Sequence, residues 1–203
     1  MNYGQVKNQA LKIMKQYSIA GSEIPASYNN QADYLVVIPG LVNEAMMEIA
    51  TTVRKLPVII NLGDLPHEQI GEQVRYTLPD DFYQLVSGSV MRTVDGRLLH
   101  TNQFMVQGKQ CLIVPAEEAG DYEITYYRYP ALLPDEPGDN AMLDNTPDTH
   151  LAIPYYVASK LLMSDDEFQC ALCNNTWDEK LRMMQQDINV EVRTVEDVYG
   201  FNL

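Results

Sequence analysis

Apolar and polar residues along the chain follow two rhythms, one close to a helical period and one of two residues. Val6, Ala10, Ile13, Met14 and Tyr17 recur at helical spacing, and Gly21, Pro25 and the stretch Ser27-Tyr28-Asn29-Asn30 break that helix. A second helix is predicted from about Gln31 to Lys55. Leu35, Val42, Ile49 and Leu56 repeat every seven residues, with Ile38, Ala45 and Thr52 between them and Met46 and Val53 alongside. Pro39 removes a backbone donor inside this pattern, which predicts a kink or a helix that starts there; Pro57 ends it.

From about residue 58 to 130 the rhythm becomes two. Gln73–Leu78, Phe82–Val94, Gln103–Val106, Gln110–Val114 and Tyr122–Tyr129 read as strands, divided by turns at Asp95-Gly96, Gly108-Lys109 and Ala119-Gly120-Asp121. Gln103–Val114, with Gly108 at its middle, reads as a hairpin, and the set predicts a small antiparallel sheet or sandwich. Pro130–Asn140 is too rich in Pro, Gly and Asp to be regular. Thr146-Pro147-Asp148 then predicts a helix start, and the helix runs to about Met163 with Leu151, Tyr155, Ala158 and Leu162 on one face. Ser164–Glu167 caps a last helix of about 165–188, whose inner side is marked by Phe168, Leu172, Leu181, Met184 and Ile188, with Trp177 as an anchor. Beyond it Val190, Val192, Val195, Val198 and Phe201 alternate in an uncapped, extended stretch, and an apolar terminus of that kind needs a surface to lie against.

The fold class expected is α+β: a four-helix core interrupted by an inserted small antiparallel β module, with an extended C-terminal tail. Its parts are 1–60 and 131–188 for the core, 61–130 for the module and 189–203 for the tail.

Charge changes the picture. With 28 acidic against 14 basic residues the net charge is −14, which argues against a protein that binds nucleic acid by neutralising phosphates. It suits solubility, and it also suits the wall of a conduit to which DNA must not stick. The opening segment lacks the apolar centre of a signal peptide, and no apolar run approaches the roughly 20 residues of a bilayer span. The expectation is therefore a protein made in the cytoplasm, with no membrane partner.

Candidate chemistry is thin. Cys170 and Cys173 form a CxxC pair within a helical pattern, where both thiols face the core, and His67, His100 and His150 are scattered singly, so no zinc site is predicted. There is no phosphate-binding glycine loop, no GxSxG elbow and no HExxH. Asp80-Asp81 and Asp165-Asp166 read as structural: neighbouring carboxylates on a strand point apart, and at a helix start they favour the dipole. Glu117-Glu118 and Asp135-Glu136 read as solvated charge. No catalytic, cofactor-binding or metal residue is proposed. Thirteen tyrosines against four phenylalanines, bunched at Tyr122, Tyr126, Tyr127, Tyr129, Tyr155 and Tyr156, fit either strands or an interface.

Four phrases in order carry a resemblance. They are Asp33-Tyr34 through Pro39-Gly40 to Asn43-Glu44-Ala45; Tyr76-Thr-Leu-Pro79-Asp80-Asp81-Phe82-Tyr83; Tyr126-Tyr127-Arg128-Tyr129-Pro130; and Ile153-Pro154-Tyr155-Tyr156 to Leu162. Together they resemble bacteriophage head-to-tail adaptor (connector) proteins over roughly 30–185. The resemblance implies a structural virion protein at the head–tail junction, not an enzyme and without a cofactor. Its copies would form a ring, commonly of twelve, with the portal protein on one side, a tail or nozzle protein on the other, and DNA passing without sequence-specific binding. In that setting Val190, Val192, Val195, Val198, Tyr199, Phe201 and Leu203 would contact the portal or a neighbouring subunit. The competing readings are another head-completion or tail component, and an enzyme or ligand binder with an unrecognised constellation.

Overall fold

The structure is a computed structural model, and it describes residues 1–14, 31–118 and 121–188. Tyr17, the break at Gly21 and Pro25, residues 27–30, the turn at Ala119-Gly120 and the whole tail from 189 to 203 lie outside the described residues, as does the side chain of Ile188.

Helix α1 (Tyr3–Ile13) opens on a reciprocal cap. The Asn2 side chain accepts from the Gln5 backbone N–H at 2.9 Å, while the Gln5 side chain accepts from the Asn2 N–H at 3.0 Å. Helix α2 (Gln31–Thr52) begins at Gln31 and runs through Pro39, so Pro39 is not its start. It stops short of the predicted Lys55, where the Val53 and Arg54 N–H groups both reach the Ile49 carbonyl. Leu56, read as the last position of the heptad stripe, belongs instead to strand β1 (Leu56–Asn61).

The third predicted helix is split. A 3-10 turn (Pro147–Leu151) precedes helix α3 (Ile153–Leu162), and Thr146 sits at the N-cap without a capping side-chain bond. Pro154 explains the break: with no N–H it cannot continue a ladder, but it fits the first turn of a new helix. Leu151 consequently points outward, while Ile153, Tyr156, Val157, Ala158, Leu161 and Leu162 are buried. Helix α4 (Glu167–Ile188) starts where the Asp166 carboxylate accepts from the Gln169 N–H at 2.9 Å. Its inner face departs from the expected one at Phe168 and Leu172. Cys173, Trp177 and Met184 are buried with Cys170 and Leu181 beside them, whereas Phe168 and Leu172 are exposed.

A four-helix core in the expected sense is not the arrangement found. Helices α1, α2 and α4 each pack chiefly on α3, which is apolar on most of its circumference. Leu133 and Leu143, from the irregular connection, complete the cluster. One short hub with three helices around it, closed by non-helical chain, replaces the bundle.

Between α2 and α3 the chain builds two four-stranded antiparallel sheets. One has the order β1-β8-β4-β5, with β4 at Phe82–Val94, β5 at Arg97–His100 and β8 at Tyr122–Arg128. The other has the order β2-β3-β7-β6, with β2 at His67–Ile70, β3 at Gln73–Thr77, β6 at Met105–Gln107 and β7 at Cys111–Pro115. The predicted β6–β7 hairpin is present, in the register Val106↔Leu112. Inner faces of both sheets share one cluster around Leu62, Val74, Tyr76, Val90, Leu112, Val114, Tyr122 and Ile124, the mark of a sandwich. Pro57 is accommodated because β1 is an edge strand, where a missing donor costs no ladder bond. Strand β4 carries a bulge at Gly88 (φ 71°), and the Ser89 hydroxyl lies 2.7 Å from the carbonyl oxygens of both Val86 and Thr125, donating to one at a time.

One expectation fails outright. Residues Asp33–Thr52 of α2 span 20 residues with a mean hydropathy of 1.3, long and apolar enough to cross a membrane. Ile38, Val42, Ala45, Met46 and Ile49 from this stretch are fully buried in the helical cluster.

Ile49→Ala should lower stability by about 2–5 kcal/mol, because the deleted atoms leave a cavity the hub cannot collapse into. Val36→Ala, at a position 78% exposed, should change it by less than about 0.5 kcal/mol. Urea denaturation of both variants decides, and equal losses would refute the packing described.

Candidate functional site

The polar organisation of the molecule concentrates on the chain between β8 and α3. Arg128, at the end of β8, donates to both carboxylate oxygens of Asp144, at 2.5 and 2.7 Å. The Ala131 N–H adds a third bond to the same carboxylate at 2.6 Å. The guanidinium beside it holds the Asp144 carboxyl below the usual carboxylate range, helped by the Ala131 amide and opposed by burial. Asn43, on α2, treats this connection as a strand partner. Its side chain accepts from the Leu133 N–H at 2.8 Å and donates to the Leu133 carbonyl at 2.9 Å. Farther along, the N–H groups of Tyr3 and Gly4 donate to the carbonyls of Ala141 and Asp139, and Lys7 pairs with Asp139 at 2.7 Å. Buried Asn145 donates to the Met46 carbonyl at 3.2 Å, and buried His150 bonds through Nε2 to the Asn145 carbonyl at 3.1 Å. Burial, then the Met1 amine charge, pushes the His150 pKa down. The connection thus works as a strap tying α1, α2 and β8 together.

The motif residues read from the sequence fall on this frame. Asn43 pins the strap, Arg128 begins it, and Ile153–Leu162 is the hub helix. Asp81 is structural, as expected: its carboxylate accepts from the Tyr126 hydroxyl at 2.9 Å and its carbonyl from the Tyr129 N–H. Burial first, then Asp81, pushes the Tyr126 pKa up to about 12. Asp165 accepts from the Tyr34 hydroxyl, tying the start of α2 to the α3–α4 turn. Cys173 is buried and Cys170 half-buried, and burial raises the Cys173 thiol pKa, away from a reactive thiolate. Among the described residues no three His, Cys, Asp or Glu side chains gather as metal ligands. The predicted contact residues Val190, Val192, Val195, Val198, Tyr199, Phe201 and Leu203 lie outside the described residues.

Several open patches on the surface are apolar. The α2 face at Val36 and Val37, the β5 residues Leu98 and Leu99, and the outer α4 face at Phe168, Leu172 and Met183 are all exposed. Of the six bunched tyrosines, Tyr122, Tyr126 and Tyr156 are buried, and Tyr127, Tyr129 and Tyr155 are half-buried. The Lys109 ammonium lies 4.9 Å from the ring centres of both half-buried Tyr83 and Tyr129. The strap contacts were missed at the sequence level because Asp144 and Gly4 carry no periodic or motif signal, and Asn43, though within a motif phrase, gives no sign of its partner. They matter only through partners far along the chain.

A tied helical hub, a sandwich and exposed apolar faces make up the described residues. The profile of one family, described as SU10 adaptor protein, matches residues 1–198. The chain belongs to that family. Membership makes it a phage head-to-tail adaptor, a structural component of the virion in a family that is not typically enzymatic. The SU10 adaptor match takes in all four motif phrases and enters the tail as far as Val198, leaving Tyr199, Phe201 and Leu203 beyond it. No curated protein matches the chain.

Two substitutions test the strap. A Cβ at Gly4 would sit 2.8 Å from Asp139 Cβ and 3.0 Å from the Asp139 carbonyl oxygen, so Gly4→Ala should cost about 1–3 kcal/mol, read by thermal denaturation. Asp144→Asn should cost about 1.5–3 kcal/mol at pH 7. Because the folded Asp144 pKa is depressed, its stabilisation is present above the unfolded carboxylate range and disappears as pH falls through the lowered folded value. Denaturation midpoints of wild type and Asp144→Asn should therefore converge in acid, and a gap unchanged from pH 7 to pH 2.5 would rule the ion pair out as its source.

Proposed function

We propose that the protein forms a ring, of twelve copies, at the head–tail junction, between the portal protein and a tail or nozzle protein and around the channel through which DNA leaves the capsid. The observation that carries this reading is the family match along 1–198, which spans every part of the fold. Identical copies contact one another side by side, and the exposed apolar faces on α2, α4 and β5 supply area for such contacts. The net charge of −14 suits a lining that lets DNA slide past during genome ejection without binding it by sequence. The helices within 1–60 and 131–188 act as one unit, the sandwich, which takes in β1 as well as residues 61–130, acts as a second unit facing a neighbour or the tail, and 189–203 acts as the segment that engages the portal or an adjacent subunit.

Electron microscopy of the purified protein mixed with its cognate portal ring tests this directly. A new layer of rotationally repeated copies is the expected result, and a monomer indifferent to the portal would end the reading. Removing residues 190–203 should leave the denaturation midpoint unchanged and abolish attachment to portal-bearing capsids. Normal attachment of the truncated chain would remove the tail from the contact.

A further inference from the structure

We infer that the β4–β5 hairpin of one copy docks into the groove on α2 of the next copy, an interface that rests on the ring reading and gives it its two faces. The hairpin is chemically unlike the rest of the chain. Residues 82–114 contain Arg92, Arg97 and Lys109 against a single acid, Asp95, so all but one of the acidic residues lie elsewhere. Asp95 and Gly96 turn the hairpin with φ of 51° and 74°, the positive values a tight two-residue connection requires. Strand β5 beyond that turn is exposed along its length and is an open sheet edge. Leu98 and Leu99 are each 51% exposed, flanked by Arg97 and His100. Alternation puts Leu98 with His100 on one face of β5 and Leu99 with Arg97 on the other, so this bare edge suits a groove whose walls are apolar and whose rim is acidic.

Such a surface exists at the other part of the molecule. A groove of about 820 Å³ runs between the first half of α2 and the strap, and no residue of β4 or β5 lines it. Its apolar wall is Val36 and Val37, and its rim carries Glu44, Asp135 and Glu136. The cation at its edge, Lys7, is already paired with Asp139. The groove lies on the half of α2 that leads away from β1, whereas the hairpin turn lies beyond the Tyr122 end of β8, opposite the Arg128 end that adjoins the strap. A hairpin and a groove that differ in shape and in sign make a heterologous contact, which repeats from copy to copy and closes into a ring where the rotation allows. Charge complementarity sets orientation and register, and burial of the leucines and valines supplies affinity.

The test uses the full chain on its cognate portal ring. Four proteins are compared by electron microscopy at one concentration: wild type, Arg97→Glu with His100→Glu, Asp135→Lys with Glu136→Lys, and all four changes together. Each pair alone should reduce ring occupancy at least about tenfold, equivalent to about 1.4 kcal/mol per contact, while its denaturation midpoint stays at the wild-type value. The fourfold variant should recover the ring, as should a mixture of the two pair variants, in which copies must alternate. Pair variants that assemble as wild type does would overturn the docking, whether residues 15–30 or a tail component prove to cover the groove. A folded fourfold variant and mixture that both fail to recover would overturn it as well. Absence of a layer with wild type itself sinks the ring reading and this interface with it.

Discussion

The Asp144 carboxylate accepts two hydrogen bonds from Arg128 and one from the Ala131 amide, and so joins the end of the last strand to chain that lies well beyond it. That closure is what allows a β sandwich to be set between α2 and α3 without prising the helices apart. Leu56 pairs with Arg128 across β1 and β8, so the chain leaves and re-enters the helical part at adjacent points. From there the strap, held by Asn43 and by the start of α1, delivers Ile153 to the centre of the cluster. Because both groups of the pair are only partly exposed, the bidentate geometry counts for more than an ordinary surface ion pair would.

The distribution of polar groups fits a protein whose work is contact. Its hydrogen-bonded side chains are directed at its own backbone, and its tyrosine hydroxyls at its own carboxylates, as with Tyr126 and Asp81 or Tyr156 and Glu44. Among the side chains that face outward are valine, leucine, methionine and phenylalanine on helices and strands, material suited to protein interfaces.

Much of this was legible in the sequence, element by element. The heptad stripe of α2 reported its buried face because packing on one side imposes a helical period. The Gly108 hairpin was legible because turn chemistry and alternation agreed. Strands β2 and β5 were not, since each is exposed throughout and shows no inside–outside rhythm. Leu56 continued a helical count into a strand because a single residue fits either period, and Pro57 marked the end of the helix without revealing the edge strand it sits in. On α4 the cysteine pair, Trp177, Leu181 and Met184 were read on the side where they lie, and only Phe168 and Leu172 were misplaced, because hydrophobic bulk outweighed helical phase. The strap was legible as irregular chain at Pro130–Asn140, but its ties to Asn43, Tyr3 and Gly4 left no local trace.

The dependence of α1 on the strap also fixes an order of events during synthesis. Tyr3 and Gly4 bond to residues 141 and 139, and the cluster they enter is built around a helix that starts at residue 153. The sandwich, by contrast, has all its strands between residues 56 and 128. On a chain growing from its N-terminus the sandwich can close while the opening helix still waits for its partners, because contacts so distant in sequence form last. A finished helical hub therefore certifies that translation has passed the strap, and unfinished chains present a β module without the helical surfaces on which partner contacts would rest.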